Sequence, residues 1–130
     1  MPLQHQHIVI KAYVKNTPMT PEAIEQWLLE LIPAIDMKIL AGPYSVYLDR
    51  VGNRGLTGVA IIETSHIVAH VWDEDNPGLI QLDVYSCKEF DKETVFKHLD
   101  KFEVVSAEWF MLDRTDNIVI TDHPTKGISY

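Results

Sequence analysis

Between Thr57 and Cys87 the chain gathers hydroxyl, imidazole and thiol groups: Thr57, Thr64-Ser65-His66, His70 and Cys87. Such groups act as nucleophiles, bases and proton donors when held within hydrogen-bonding reach of one another. Taken singly, they carry blander readings. Cys87 suits a small buried core residue. His66 and His70 share a strand face and fit a core or a metal site, but a metal needs further ligands that no spacing supplies. His5 and His7 flank Gln6 as surface or strand-edge residues, and Asp73-Glu74-Asp75 reads as a solvated hairpin turn. Order and spacing, not any one residue, must carry a function.

The elements that position these residues are legible from periodicity. Ile8, Ile10, Ala12 and Val14 alternate with Val9, Lys11 and Tyr13, which predicts a strand over 7–14. Thr20-Pro21-Glu22 opens a helix: Thr caps the free amides, Pro suits the first turn and Glu favours the positive dipole end. Ile24, Trp27, Leu28 and Leu31 follow at helical spacing, and Pro33 ends the run. A strand near 37–48, broken at Gly42-Pro43, leads to a loop over 49–55. Strands over 58–63 and 66–72, a turn over 73–78 and a strand over 79–87 come next. Asp91 caps a second helix carrying Val95, Phe96, Leu99 and Phe102, and strands near 104–112 and 117–120 close the domain.

Ile10-Lys11-Ala12-Tyr13 before the Thr20 helix echoes Leu82-Asp83-Val84-Tyr85 before the Asp91 helix. Two such pseudo-repeated halves predict an α+β two-layer sandwich, a mostly antiparallel sheet with two main helices on one face. In the strand over 79–87, Leu82, Val84 and Ser86 point one way and Gln81, Asp83, Tyr85 and Cys87 the other. His66, Val68, His70 and Trp72 also share a face. The sheet face without helices is therefore a candidate site or dimer interface.

The 130 residues fit one domain, with 46% hydrophobic residues to build its core. A single cysteine rules out an intrachain disulfide and suits a reducing setting. No apolar run approaches the ~20 residues of a membrane span. Met1-Pro2-Leu3-Gln4 lacks a signal-peptide pattern, so a cytoplasmic location is expected. A net charge of −8 argues against nucleic-acid or anionic-membrane partners and leaves room for a cationic small molecule.

Gly55-Leu56-Thr57-Gly58, the apolar strand after it, Thr64-Ser65-His66 and His70-Val71-Trp72 resemble the processing region of the prokaryotic-type S-adenosylmethionine decarboxylase proenzymes. There Gly-x-Ser-Gly and an apolar strand lead to Glu-Ser-His, then His-x-Trp. The resemblance continues through Leu82-Asp83-Val84-Tyr85-Ser86-Cys87, similar to the family's Asp-x-Phe-Thr-Cys strand, and covers most of the chain.

The resemblance implies a self-cleaving enzyme. Ser65 attacks the Thr64 carbonyl to form an ester, and elimination splits the chain between 64 and 65. Dehydroalanine is left and hydrolyses to a covalent pyruvoyl cofactor derived from Ser65. His70 and Thr57 match the groups that handle the charge and proton of this shift. The pyruvoyl ketone forms a Schiff base with the substrate amine and serves as electron sink as carbon dioxide leaves. Cys87 falls on the cysteine that reprotonates the α-carbon, a step that suits a thiol because it titrates near working pH. Glu74 maps onto the ribose-binding glutamate, with two extra residues in the 73–78 turn. The adenine-stacking aromatic aligns with Val51, leaving Tyr44 or Tyr47 as stand-ins. The family's sites lie at a homodimer interface between sheets, so the partner's Thr57, His70 and Glu74 would join Ser65 and Cys87. The implied product is the aminopropyl donor for spermidine synthesis.

Three positions depart from the pattern. Thr64 replaces a glutamate, and a β-branched residue there slows but does not forbid attack on its backbone carbonyl. Lys11 replaces an acid and should repel a sulfonium substrate. Val51 is not aromatic, whereas Thr57 for Ser keeps its hydroxyl. Two alternatives follow: a pyruvoyl decarboxylase of another amino acid, and an uncleaved, non-catalytic binding or regulatory homologue.

Overall fold

The computed structural model describes residues 3–124. Met1 and Pro2, on which the leader reading partly rests, and residues 125–130 lie outside the described residues. The chain runs β1 (Gln6–Val14), α1 (Pro21–Ala34), β2 (Ile39–Leu48), β3 (Gly55–Ile62), β4 (Ser65–Trp72) and β5 (Gly78–Ser86), then α2 (Lys92–Leu99), a 3-10 turn (Asp100–Phe102), β6 (Val104–Asp113) and β7 (Val119–Asp122). Its strands form one sheet in the order β2-β3-β4-β5-β1-β6-β7, with every neighbouring pair antiparallel. This is the expected α+β architecture.

Alternation decides which face is buried. Ile8, Ile10, Ala12 and Val14 of β1 and Ile80, Leu82 and Val84 of β5 pack in one core with Ile24, Leu28 and Leu31 of α1 and Val95 and Leu99 of α2. Each large side chain buried in this way contributes about 1.5–3 kcal/mol. The two helices are joined where the Trp27 indole donates to the His98 carbonyl at 2.8 Å. Thr20 caps α1 by accepting the Ala23 amide at 3.2 Å, and Asp91 caps α2 by accepting the Glu93 amide at 3.0 Å. Close approach of α1 to β3 favours a glycine at position 58, because a Cβ there would lie 3.0 Å from the Ile24 side chain, which would have to shift.

Several boundaries differ from expectation. Pro33 sits inside the last turn of α1 instead of ending it. β2 continues through Gly42-Pro43, with register shifts on either side of Ala41, because an edge strand tolerates a residue that cannot donate to the ladder. β5 stops at Ser86 and leaves Cys87 just beyond it. The repeated strand–helix units are β1–α1 and β5–α2, and β1 and β5 pair at the centre of the sheet. After the helices the halves diverge, with three strands following α1 before β5 and two following α2. No helix among the described residues is long and apolar enough to cross a membrane.

Candidate active site

β3 and β4 form a hairpin closed by Glu63-Thr64, with Ile62 opposite Ser65. Ser65 therefore opens a strand at a tight turn, and its φ is 147°. Non-glycine residues avoid that region, at a cost of about 1–3 kcal/mol. On its other side Ser65 pairs with Ser86, so the end of β5 lies against the turn. The Cys87 amide donates to the Thr64 carbonyl oxygen at 2.7 Å. The carbonyl a residue-65 hydroxyl would attack thus already faces a backbone donor, and the half-buried Cys87 thiol belongs to that donor's residue.

Thr64 is held through its side chain as well. Its hydroxyl donates to the Met37 sulfur at 3.1 Å and accepts from the Ser86 hydroxyl at 3.0 Å. Ser86 is fully buried. Sequence reasoning placed Ser86 on the inward face but assigned it no role. A hydroxyl on a buried strand face, next to the cysteine, was the available signal.

The second group of candidates lies at the far end of the same hairpin. Thr57 and His70 face each other across β3 and β4, with the Thr57 hydroxyl 2.9 Å from His70 Nδ1. The His70 and Trp72 rings are 5.9 Å apart, and the Trp72 indole donates to Asn53 at 2.8 Å. Thr57, His70, Trp72 and Asn53 help line a cavity of about 150 Å³. Five residue steps along β4 carry the chain from Ser65 to His70, about 16 Å at the usual rise. Within one chain, then, Thr64, Ser65 and Cys87 are together, Thr57 and His70 are together, and the two groups are apart.

The remaining candidates have structural partners. Glu74 accepts the Gly52 amide at 2.9 Å and the Arg54 amide at 3.0 Å. These bonds, Gly52 first, hold its carboxyl below the usual glutamate range. Tyr47 packs on the helix face and donates to Asp73 at 3.0 Å; burial, then Asp73, pushes its hydroxyl pKa up. Tyr44 is exposed, and Val51 is exposed in the loop between β2 and β3. Lys11 lies mid-sheet on the open face between Gln81 and Glu108, its ammonium 5.5 Å from the Tyr13 ring centre.

The histidines near the start of the chain are more engaged than a surface reading allows. His5 bonds the Tyr85 hydroxyl at 2.7 Å, and His7 pairs with Asp83. Arg114 stacks on Tyr85 at 4.5 Å and meets His7 Nδ1 at 3.2 Å. Tyr85 also receives the edge of His66, so an aromatic and cationic row extends across the open face from the residue after Ser65. Neither Tyr85 nor Arg114 was singled out from sequence. Among the described residues, no three His, Cys, Asp or Glu side chains gather to hold a metal ion.

Comparison with known proteins bears on this arrangement. A family model described as S-adenosylmethionine decarboxylase matches residues 6–115. The chain is similar to an S-adenosylmethionine decarboxylase proenzyme of Archaeoglobus fulgidus, 33% identical over 112 residues, covering 84% of this chain and 96% of the relative. A protein of the same description from Clostridium botulinum strain Langeland is 31% identical over 96 residues, 72% of this chain and 78% of the relative. The crystal structure of the adenosylmethionine decarboxylase from Aquifex aeolicus VF5 superposes with a TM-score of 0.65 at 21% identity, covering 96% of this chain and all of that one.

Proposed function

The chain belongs to the S-adenosylmethionine decarboxylase family, and from that premise we propose that it splits itself between Thr64 and Ser65 and decarboxylates S-adenosylmethionine with a pyruvoyl group made from Ser65. One observation carries the reading. The Thr64 carbonyl accepts the Cys87 amide at 2.7 Å, at a turn where Ser65 is forced to a φ of 147°. Attack by Ser65 Oγ on that carbonyl turns an amide into an ester and moves negative charge onto the oxygen already facing a donor. Loss of the Cα proton breaks the ester, releasing Thr64 as a carboxylate. Water then removes the residue-65 nitrogen as ammonia.

A pyruvoyl group supplies a ketone for the substrate amine and an electron sink for decarboxylation. The chain's own residues supply the rest. The Cys87 thiol, on the residue whose amide holds Thr64, donates the proton that replaces carbon dioxide. Thr57 and His70, bonded at 2.9 Å, form a hydroxyl–imidazole pair able to move a proton during the ester shift. Because about 16 Å of strand separates them from Ser65, we assign that pair to the Ser65 of a second copy, in a homodimer formed through the open sheet faces. Exposed Tyr44, Val46, Ile61 and Phe110 on that face support the assignment. Spermidine synthesis and a cytoplasmic setting complete the reading.

Denaturing intact mass is the primary test. We expect two fragments divided at 64/65, the second lacking its amine, and a single uncut chain for Ser65→Ala. An uncut wild-type chain after prolonged incubation, or cleavage of Ser65→Ala, overturns the proposal. Lys11 on the open face favours a second reading, a different amino-acid substrate, because its charge opposes a sulfonium. Carbon dioxide release from S-adenosylmethionine against a panel of amino acids decides between the two.

A further inference from the structure

Thr64 occupies the position preceding the reactive serine, and its side chain is held by a chain of hydrogen bonds. The Lys88 amide donates to the Ser86 hydroxyl at 3.0 Å. Ser86 in turn donates to the Thr64 hydroxyl at 3.0 Å, and Thr64 donates to the Met37 sulfur at 3.1 Å. A backbone amide can only donate and a thioether can only accept, and the Ser86 hydroxyl also lies 3.6 Å from the Met37 sulfur, so both hydroxyls converge on that one acceptor.

Both ends of this chain are anchored. Lys88 reaches back to Asp36, its ammonium 2.9 Å from the carbonyl and 2.8 Å from the carboxylate. On the other side of Met37, the Lys38 carbonyl accepts the Glu63 amide at 2.9 Å. Met37 is itself buried, and its amide donates to Ile32 at 3.0 Å. The segment over 36–38, the end of β5 and the turn between β3 and β4 are thereby tied at one point. That point lies one residue before Ser65.

We propose that Ser86 is a positioning residue for self-cleavage: through the relay Lys88–Ser86–Thr64–Met37 it fixes the Thr64 carbonyl against both the Ser65 hydroxyl and the Cys87 amide. The inference rests on the cleavage reading above and extends it to residues that touch no reacting atom. Thr64 has two torsional constraints that matter here, its β-branch and its bonded hydroxyl. With both in place, its carbonyl keeps the 2.7 Å bond to Cys87 while Ser65 approaches. Without the Ser86 bond, the Thr64 hydroxyl keeps only its contact with Met37, and the turn that carries the Thr64 carbonyl loses its tie to the end of β5 through that side chain. The carbonyl then samples orientations away from attack, where displacements of about 1 Å cost up to 10²-fold in rate.

The test follows loss of the uncut chain by intact mass, from freshly synthesised protein, for wild type, Ser86→Ala, Ser86→Thr, Thr64→Val and the Ser86→Ala/Thr64→Val double variant. Ser86→Ala and Thr64→Val should each slow cleavage roughly tenfold or more. Ser86→Thr, which keeps the hydroxyl, should restore the wild-type rate. If both hydroxyls act only as one relay, the double variant is no slower than the slower single variant. Cleavage of Ser86→Ala at the wild-type rate, or multiplied effects in the double variant, overturns the relay. A wild-type chain that stays uncut overturns the cleavage reading instead. Should Ser86→Ala melt below the assay temperature, Thr64→Val carries the test, because it removes the same bond from outside the fully buried position.

Discussion

At the scale of the residue, Cys87 joins an observed backbone contact to a proposed side-chain role. Its amide grips the Thr64 carbonyl at 2.7 Å, and its thiol is the proton donor assigned to turnover. Side-chain substitution should separate them. Cys87→Ala keeps the amide, so we expect the chain to divide at 64/65 at close to the wild-type rate. Carbon dioxide release should fall by about 10²-fold or more, within the usual range for a lost general acid. Cleavage kinetics and turnover measured on the same preparation check this, and unchanged turnover removes the thiol from the reaction. The same division explains what the sequence could not reveal. Cys87 stands out by type, but the bond its amide makes requires the end of β5 to lie beside a turn more than twenty residues earlier. Ser86 was visible as an inward-facing hydroxyl. Its partners Met37 and Thr64 come from segments remote in the chain, so no local pattern could have joined them.

Among the elements, the hairpin of β3 and β4 sets most of the geometry, and much of it was legible. Alternation fixes which residues face the core, and a two-residue turn at Glu63-Thr64 puts Thr57 opposite His70, since the two are equidistant from it. The loop between β2 and β3 was legible as a loop, but its anchoring was not. Its glycines marked it as irregular, yet nothing local predicted that Glu74, beyond β4, would hold it by accepting the Gly52 and Arg54 amides. Those bonds lower the Glu74 pKa relative to the unfolded chain. Their stabilisation is therefore complete above the ordinary glutamate pKa and is lost as pH falls through the depressed folded value. Glu74→Gln should melt below wild type at about pH 7, and the difference should narrow progressively as pH is lowered below the ordinary glutamate range and the wild-type carboxylate protonates. Faster amide exchange at Gly52 and Arg54 in the variant would locate the effect in the loop. A melting difference that stays constant throughout the acid titration of the wild-type protein would assign it to something other than the carboxylate.

On the scale of the whole molecule, the separation of Ser65 from the Thr57–His70 pair is the feature that most needs a second copy. Ser65 and His70 sit toward opposite ends of one extended strand, which cannot bring its own ends together, so a cleaving chain must take His70 from a partner or do without it. Paired variants distinguish these possibilities. A His70→Ala chain retains Ser65 and Cys87 but offers its partner no imidazole; a Ser65→Ala chain retains His70 but has no nucleophile. Expressed alone, each should remain uncut. Expressed together, a mixed dimer rebuilds one complete site, from Ser65 of the first chain and His70 of the second. The prediction is that fragments of the His70→Ala chain appear on co-expression, with the Ser65→Ala chain left intact. Differently tagged chains and intact mass resolve the two. Cleavage of His70→Ala alone would show that the imidazole is dispensable. Persistence of both uncut chains in a mixed dimer, confirmed by co-purification through the two tags, would place the two residues in separate functions. The open face carries exposed Tyr44, Val46, Ile61 and Phe110 around a polar and aromatic centre. It therefore combines the apolar rim needed to join two sheets with the side chains that a site between them would use.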